Sequence, residues 1–170
     1  MALLSEGRGY GQIEPNHLSG QRNGQIYAQL PCVDTITELQ NGQFVKYDYA
    51  KNQVNYNGDG EWMLVYNEVK LYDPRHTYKD FVYRAKDFSD GKMYPRVFKT
   101  MPGDIFTTNL VELGSRNLST LVAGDKFVVD NAKGILKYEA SPTANVMTWQ
   151  VAKVYTMPDG SPAVKLQRIV

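Results

Sequence analysis

The stretch NGQFVKYDYAKNQVNY, residues 41–56, alternates apolar and polar side chains on both sides of an Ala50-Lys51-Asn52 turn. Alternation with a period of two places successive side chains on opposite faces of a strand. Two such runs around a short turn are typical of a β-hairpin. The sequence therefore predicts one strand over residues 41–49 and its partner over residues 54–56.

Strand patterns of the same kind continue through the rest of the chain, at 61–72, 95–99, 105–111, 126–130, 135–138, 144–155 and 163–170. The first half of 61–72 is apolar on both faces, which predicts a central strand, and Asp73-Pro74 ends it because proline has no amide hydrogen. The charged and aromatic stretch 75–92 predicts a short helix or an excursion loop. Some nine strands with almost no helical period predict an all-β protein with a barrel-like or sandwich body.

The N-terminal region has a different composition from the strands. Glycines stand at positions 7, 9, 11, 20 and 24, and the apolar residues show neither helical nor strand period. We therefore predict an extended, glycine-rich arm over residues 1–35 and a body over 36–170, which would divide near Gly114 if it forms two smaller barrels. Such an arm buries too little surface to offset its backbone entropy, so we expect another polypeptide to order it. The alternative is that the arm folds back over its own body.

Charge and cysteine content narrow the classes of partner and chemistry. Lysine and arginine total 19 against 18 aspartate and glutamate, so we expect no nucleic-acid partner. Cys32 is the single cysteine and can form neither an internal disulfide nor a zinc site on its own. No apolar run has the length of a signal peptide or a membrane span, so we expect no membrane association and synthesis in a reducing cytoplasm.

The sequence carries no motif that predicts catalysis. The two histidines, His17 and His76, have no neighbour at metal-ligand spacing, and Cys32 lies in an apolar setting that favours an inert thiol. Aspartates adjoin glycine at five places, a composition more typical of turns than of calcium loops: Asp59, Asp90, Asp104, Asp125 and Asp159. We predict that the chain is not an enzyme and uses no cofactor, metal or small-molecule substrate.

Four phrases carry a resemblance to a known class of proteins: GQIEPNHLS (11–19), GQIYAQL (24–30), NGQFVKYD (41–48) and GEWMLVYNEV (60–69). They resemble small structural proteins of tailed bacteriophages that are encoded beside the major capsid protein. The resemblance implies a capsid auxiliary protein, also called a decoration or cement protein, located in the virion after synthesis in the host cytoplasm. Its expected partners are the major capsid protein and neighbouring copies of itself.

The predicted arm would make these contacts. The residues expected to anchor it on a partner are Ile13, Pro15, Leu18, Arg22, Ile26, Tyr27 and Leu30. Adding a strand to a neighbouring sheet edge is one way in which such an arm binds, and many copies on one shell gain strength by avidity. Residues 1–24 are accordingly expected to be dispensable for folding of the body.

Two alternatives remain open at this point. The first is another head or tail component, such as a minor capsid or head-fibre protein, in which the arm mediates homotrimer formation. The second is a carbohydrate-binding module that stacks sugars on Trp62, Trp149 or tyrosines. We expect both tryptophans to lie in the core, because each sits within a strand pattern.

Overall fold

The computed structural model describes residues 3–4, 11–17, 29–67 and 82–170, with only the backbone at 14–17. These residues include thirteen strands and a turn of 3-10 helix at Ala85–Asp87, which confirms the predicted all-β class. The strands are β1 (Ile13–His17), β2 (Glu38–Gln40), β3 (Phe44–Asp48), β4 (Gln53–Asn55), β5 (Met63–Val65), β6 (Val82–Arg84), β7 (Val97–Lys99), β8 (Ile105–Thr108), β9 (Val111–Glu112), β10 (Lys126–Val129), β11 (Leu136–Tyr138), β12 (Thr148–Thr156) and β13 (Pro162–Arg168).

All nine predicted strands are present, but the count of about nine was too low for the described residues. Strands β1, β2 and β6 are additional, and the predicted strand at 105–111 divides into β8 and β9. Where a helix or loop was expected within 75–92, residues 82–87 form strand β6 and a 3-10 turn, and 75–81 lie outside the described residues. The predicted strand at 61–72 is regular only over β5, and its part beyond Asn67 is likewise outside them.

The largest sheet has seven strands in the order β1-β8-β13-β12-β10-β11-β9. β8 and β9 stand five strand spacings apart in that order, or about 24 Å in a flat sheet. Only Asn109 and Leu110 separate them in the chain, and the three peptide units from Thr108 to Val111 reach at most about 11 Å. The sheet must therefore curl until its two ends approach each other, which gives the body a barrel-like shape.

The interior of this curled sheet holds the barrel core, which is centred on Phe44, Phe106 and Trp149. The rings of Phe106 and Trp149 meet edge to face with centroids 4.7 Å apart, and Phe44 lies 5.8 Å from Trp149. Strands on both sides of Gly114 contribute to this core and to the seven-stranded sheet. Burial of these large rings supplies much of the hydrophobic stabilisation of the body.

A four-stranded sheet, β4-β3-β5-β7, lies against the barrel core with one face and against a second core with the other. In β5, Leu64 belongs to the barrel core, whereas Met63 and Val65 belong to the second core. Alternate side chains of a strand point to opposite faces, so a strand buried on both sides must be apolar throughout. This explains the continuous apolar run of β5 and confirms its predicted central position.

Three turns, at residues 40–43, 101–104 and 122–125, share one geometry. Each has glycine in third place with φ of +97° or +98°. The backbone N–H of the fourth residue donates to the first residue's carbonyl oxygen over 3.0–3.2 Å. The fourth residue's side-chain oxygen in turn accepts from the first residue's N–H over 2.6–3.0 Å. The positive φ in third place is that of a type II turn, which favours glycine.

Each of these turns is also fixed to a distant part of the chain. In each turn one distant residue makes two backbone hydrogen bonds: its carbonyl oxygen accepts from the glycine N–H, and its N–H donates to the carbonyl oxygen of the fourth residue. This distant residue is Val65, Arg168 and Val151 for the three turns in chain order. Strands β3, β8 and β10 begin just after the turns, and each carries one phenylalanine of the barrel core. The repeated turn therefore sets where three core strands start.

Candidate functional site

The N-terminal residues lie at both edges of the seven-stranded sheet. Leu3 forms an antiparallel bridge with Glu112 of β9, and β1 pairs with β8 at the other edge. Leu4 and Ile13 are half-buried and pack against the barrel core. These described parts of the predicted arm therefore fold back over the body, which was the alternative to ordering by a partner.

Side-chain groups hold the residues just before β1. The Gly11 N–H donates to Gln40 Oε1 over 2.5 Å, and the Gln12 N–H donates to Asn109 Oδ1 over 2.6 Å. The Thr108 hydroxyl donates to the Gln12 carbonyl oxygen over 2.7 Å. Buried backbone groups outside a ladder need such partners, because an unpaired one costs about 1–3 kcal/mol. Gln40, Thr108 and Asn109 thus form an amide and hydroxyl clasp around the start of β1.

Gly11 itself is buried at a point of close approach. A Cβ placed there would lie 2.8 Å from the Asn41 carbonyl oxygen and 2.8 Å from Leu110 Cδ2. Real Cβ atoms essentially never approach that closely, so the clasp requires glycine. We expected the glycines of this region to let its backbone lie close to a partner, and Gly11 makes such an approach to the chain's own body.

The seven predicted anchors have different positions. Ile13 packs against the barrel core and Leu30 against the second core, both half-buried, so these two side chains contribute to the protein's own packing. Pro15 lies in β1, where only the backbone is described. The remaining four lie outside the described residues: Leu18, Arg22, Ile26 and Tyr27. The structure therefore brings none of the seven together on one described surface.

The outer edge of β1 pairs with no strand in the described residues, but it is poorly suited to accept one. The register with β8 shifts between Glu14 and His17, so Pro15 and Asn16 occupy a bulge. Proline and bulges are features by which proteins protect edge strands, because both interrupt the hydrogen-bonding row. Strand addition along the whole of β1 is therefore not favoured.

The connection from β1 to the second core is held at both ends. His17 ends β1 on β8, and the other end is fixed from Leu30 onward, where the Cys32 N–H donates to the Met93 carbonyl oxygen over 2.7 Å. The Val54 N–H likewise donates to the Pro31 carbonyl oxygen over 2.9 Å. We call residues 18–28 the tethered segment, since both of its flanks are bound to the body.

Cys32 is buried, and desolvation raises the pKa of its thiol to about 12. The thiol is therefore uncharged near neutral pH, as the sequence predicted, and a neutral thiol is a poor nucleophile. Wherever side chains are described, no three His, Cys, Asp or Glu residues converge as metal ligands would. Asp104 and Asp125 accept backbone N–H groups in their turns, which confirms the interpretation of these two aspartates as turn residues.

The tryptophans are both in the core, as expected. Trp149 is fully buried and Trp62 is 8% exposed, with the Lys46 ammonium 4.7 Å from its ring centroid. Of the tyrosines with described side chains, Tyr49 and Tyr94 are the exposed ones, and the Tyr94 hydroxyl donates to Asp90. A flat sugar-stacking platform built from tryptophan is thus absent from the described surface.

The clasp is the feature that sequence reasoning missed. Gln40, Thr108 and Asn109 lie far along the chain from Gly11, and their roles depend on tertiary proximity. No local pattern in the sequence marks these contacts. Within the described ranges, no helix has the length and apolar character that crossing a membrane requires.

Comparisons with known proteins assign no family to this arrangement. No protein-family model matches the chain, and neither the curated proteins nor the solved structures contain a match to it.

Proposed function

We propose that this chain is a structural protein of a tailed-bacteriophage virion, a capsid auxiliary protein that binds the major capsid protein and neighbouring copies of itself. The proposed contact surface is the tethered segment, residues 18–28. It contains Leu18, Arg22, Ile26 and Tyr27, four of the seven anchors expected from the sequence. Two of the other anchors, Ile13 and Leu30, pack against the cores of the body.

One observation carries this proposal: both flanks of the tethered segment are bound to the body, at β1 and at Leu30–Cys32. A segment with fixed ends loses less conformational entropy on binding than a free arm does, so more of its contact energy appears as affinity. The resemblance of four phrases to phage head proteins supplies the class of partner. Repetition of one modest contact over a symmetric shell adds avidity.

Burial in the body argues against the carbohydrate-binding alternative, because Trp62 and Trp149 are unavailable for stacking on a sugar. The homotrimer alternative makes a separate prediction. Purified protein that sediments as a stable trimer without capsid would favour it, whereas a monomer would favour the capsid auxiliary role.

Truncation is an unsuitable test, since removal of residues 1–24 also deletes β1 and the two residues that the clasp holds, Gly11 and Gln12. Because Leu4 and Ile13 pack against the barrel core, removing them is also expected to lower the stability of the body. Point substitutions in the tethered segment keep these contacts.

The experiment is coexpression with the major capsid protein of the phage that encodes the chain under this proposal, followed by gradient sedimentation of the capsids. Wild-type chain is expected to comigrate with capsids, and the triple variant Leu18→Ser, Ile26→Ser, Tyr27→Ser is expected to remain at the top. Tyr49→Ser is the matched control, because it removes an exposed aromatic from the body surface. Equal comigration of the triple variant and wild type would reject the segment as the contact. Absence of wild-type comigration would reject the capsid role.

A further inference from the structure

Five dipeptides in the described residues place asparagine or aspartate directly before glycine. They are Asn41-Gly42, Asn57-Gly58, Asp59-Gly60, Asp90-Gly91 and Asp159-Gly160. In such a pair the glycine backbone nitrogen can attack the preceding side-chain carbonyl carbon, since no Cβ hinders its approach. The reaction requires that this nitrogen and the side chain be free to move together.

Hydrogen bonds block four of the five pairs. The N–H groups of Gly42, Gly60, Gly91 and Gly160 donate to backbone carbonyl oxygens over 2.8–3.0 Å. Asn41 is held further, because its side-chain oxygen accepts from the Asn67 N–H over 2.7 Å and its side-chain nitrogen donates to the Asn67 carbonyl oxygen. Asn41 is also buried, with 6% of its surface exposed.

Asn57-Gly58 differs from the other four pairs. The Gly58 N–H has no acceptor in the described residues, and the Asn57 side chain is exposed and makes no hydrogen bond there. The pair lies in the irregular connection between β4 and β5. The Gly58 N–H and the Asn57 side-chain amide are therefore not engaged in hydrogen bonds within the described ranges, whereas the Asn57 N–H donates to Asn55 Oδ1 over 2.9 Å.

We propose that Asn57 is a site of spontaneous deamidation in the folded protein, and that Asn41 is protected. The Gly58 nitrogen bonds to Asn57 Cγ and loses its proton, while the Cγ–Nδ2 bond breaks and ammonia leaves. The cyclic imide that results then takes up one water at either carbonyl. Opening at one carbonyl gives aspartate and opening at the other gives isoaspartate.

Both products change the connection between β4 and β5. Each adds a carboxylate that is ionised at neutral pH, next to Asp59. Isoaspartate also lengthens the main chain by one carbon, between Tyr56 and Gly60. The Gly60 N–H donates to the Tyr47 carbonyl oxygen over 3.0 Å, and a Cβ on Gly58 would clash with that same oxygen. The lengthened chain is expected to loosen this contact.

The test is prolonged incubation of the full chain in mildly alkaline buffer, with peptide mapping by mass spectrometry and enzymatic methylation of isoaspartate. In the folded protein the peptide with Asn57 is expected to gain the mass of an amide-to-acid change. Asn41 is expected to react roughly a thousandfold or more slowly than in urea, because it reacts only when its buried segment opens. In urea the two sites should react at similar rates.

Asn57→Gln is the blocking variant, and it alters only an exposed side chain. In an Asn23→Gln background, which removes the Asn-Gly pair at 23–24, it is expected to abolish the acidic species that otherwise accumulates, and Asn57→Asp is expected to comigrate with part of that species. Equal rates at Asn41 and Asn57 in the folded chain would overturn the proposal. So would an unmodified Asn57 in folded protein under conditions where urea permits its reaction.

Discussion

Substitution of Gly11 by alanine tests whether the N-terminal residues are part of the folded body. The new methyl group would lie 2.8 Å from the Asn41 carbonyl oxygen, a backbone atom that cannot rotate away, and 2.8–2.9 Å from two atoms of Leu110. Overpacking of this kind typically costs about 1–3 kcal/mol. Loss of chain entropy in the unfolded state returns about 0.4–1 kcal/mol. We therefore expect a net destabilisation of about 1–2 kcal/mol.

The sign of the change in the free energy of unfolding shows whether residues 11–13 pack against the body. If residues 11–13 were a free arm, alanine would meet nothing and the unfolding free energy would stay the same or rise slightly. Urea denaturation with a shared m-value is the assay, supported by thermal melting, where a loss of 2 kcal/mol corresponds to about 4–8 °C at this chain length.

A size series sharpens the experiment. Gly11→Ser and Gly11→Val should be progressively less stable than Gly11→Ala, because each adds volume to a closed site, and amide exchange in β8 should accelerate in parallel. A flat series, or a stabilised Gly11→Ala, would refute the docking of the N-terminal residues.

Two further predictions concern the turns and the thiol. Asp104→Ala and Asp125→Ala each remove the acceptor of a turn N–H, and each should lower the free energy of unfolding by about 1–3 kcal/mol in urea denaturation. Asp104→Asn keeps an acceptor oxygen and should cost less. Equal losses for alanine and asparagine would contradict the turn geometry. Burial raises the pKa of the Cys32 thiol from 9.0 to about 12 and that of Tyr56 from 10.0 to about 12. Both groups ionise more readily in the unfolded chain than in the folded one. Their contribution to the free energy of unfolding should therefore be fully present below pH 9 and decline as the pH rises toward 12. Cys32→Ala should flatten the early part of that decline in pH-dependent denaturation, and an unchanged slope would show that the thiol is not buried.

The regular strands could be predicted from the sequence because their stabilising pattern is local. The alternation in 41–56 predicts the hairpin of β3 and β4, and the apolar run before Asn67 predicts a strand covered on both faces. These features depend on neighbours along the chain, which a single sequence displays.

The N-terminal contacts could not be predicted in the same way. β1 has only five residues, includes Pro15 and has no clear alternation, and its neighbours Gly11 and Gln12 are bound by side chains about 30 and 100 residues away in sequence. The break between β8 and β9 is similarly nonlocal. Thr107 and Thr108 favour a continuous strand, but β8 ends at Thr108 because the chain passes to the other side of the curled sheet. For the candidate site, the sequence alone shows which side chains residues 18–28 contain. Only the structure shows that both flanks of this segment are bound to the body.

Hydrogen exchange measured by mass spectrometry, on free protein and on protein bound to capsids, tests the account most directly. Binding through the tethered segment predicts slower exchange in peptides covering 18–28 on capsid binding, with exchange in the β10–β11 hairpin unchanged. Slower exchange confined to other peptides, with residues 18–28 exchanging equally in both states, would contradict it.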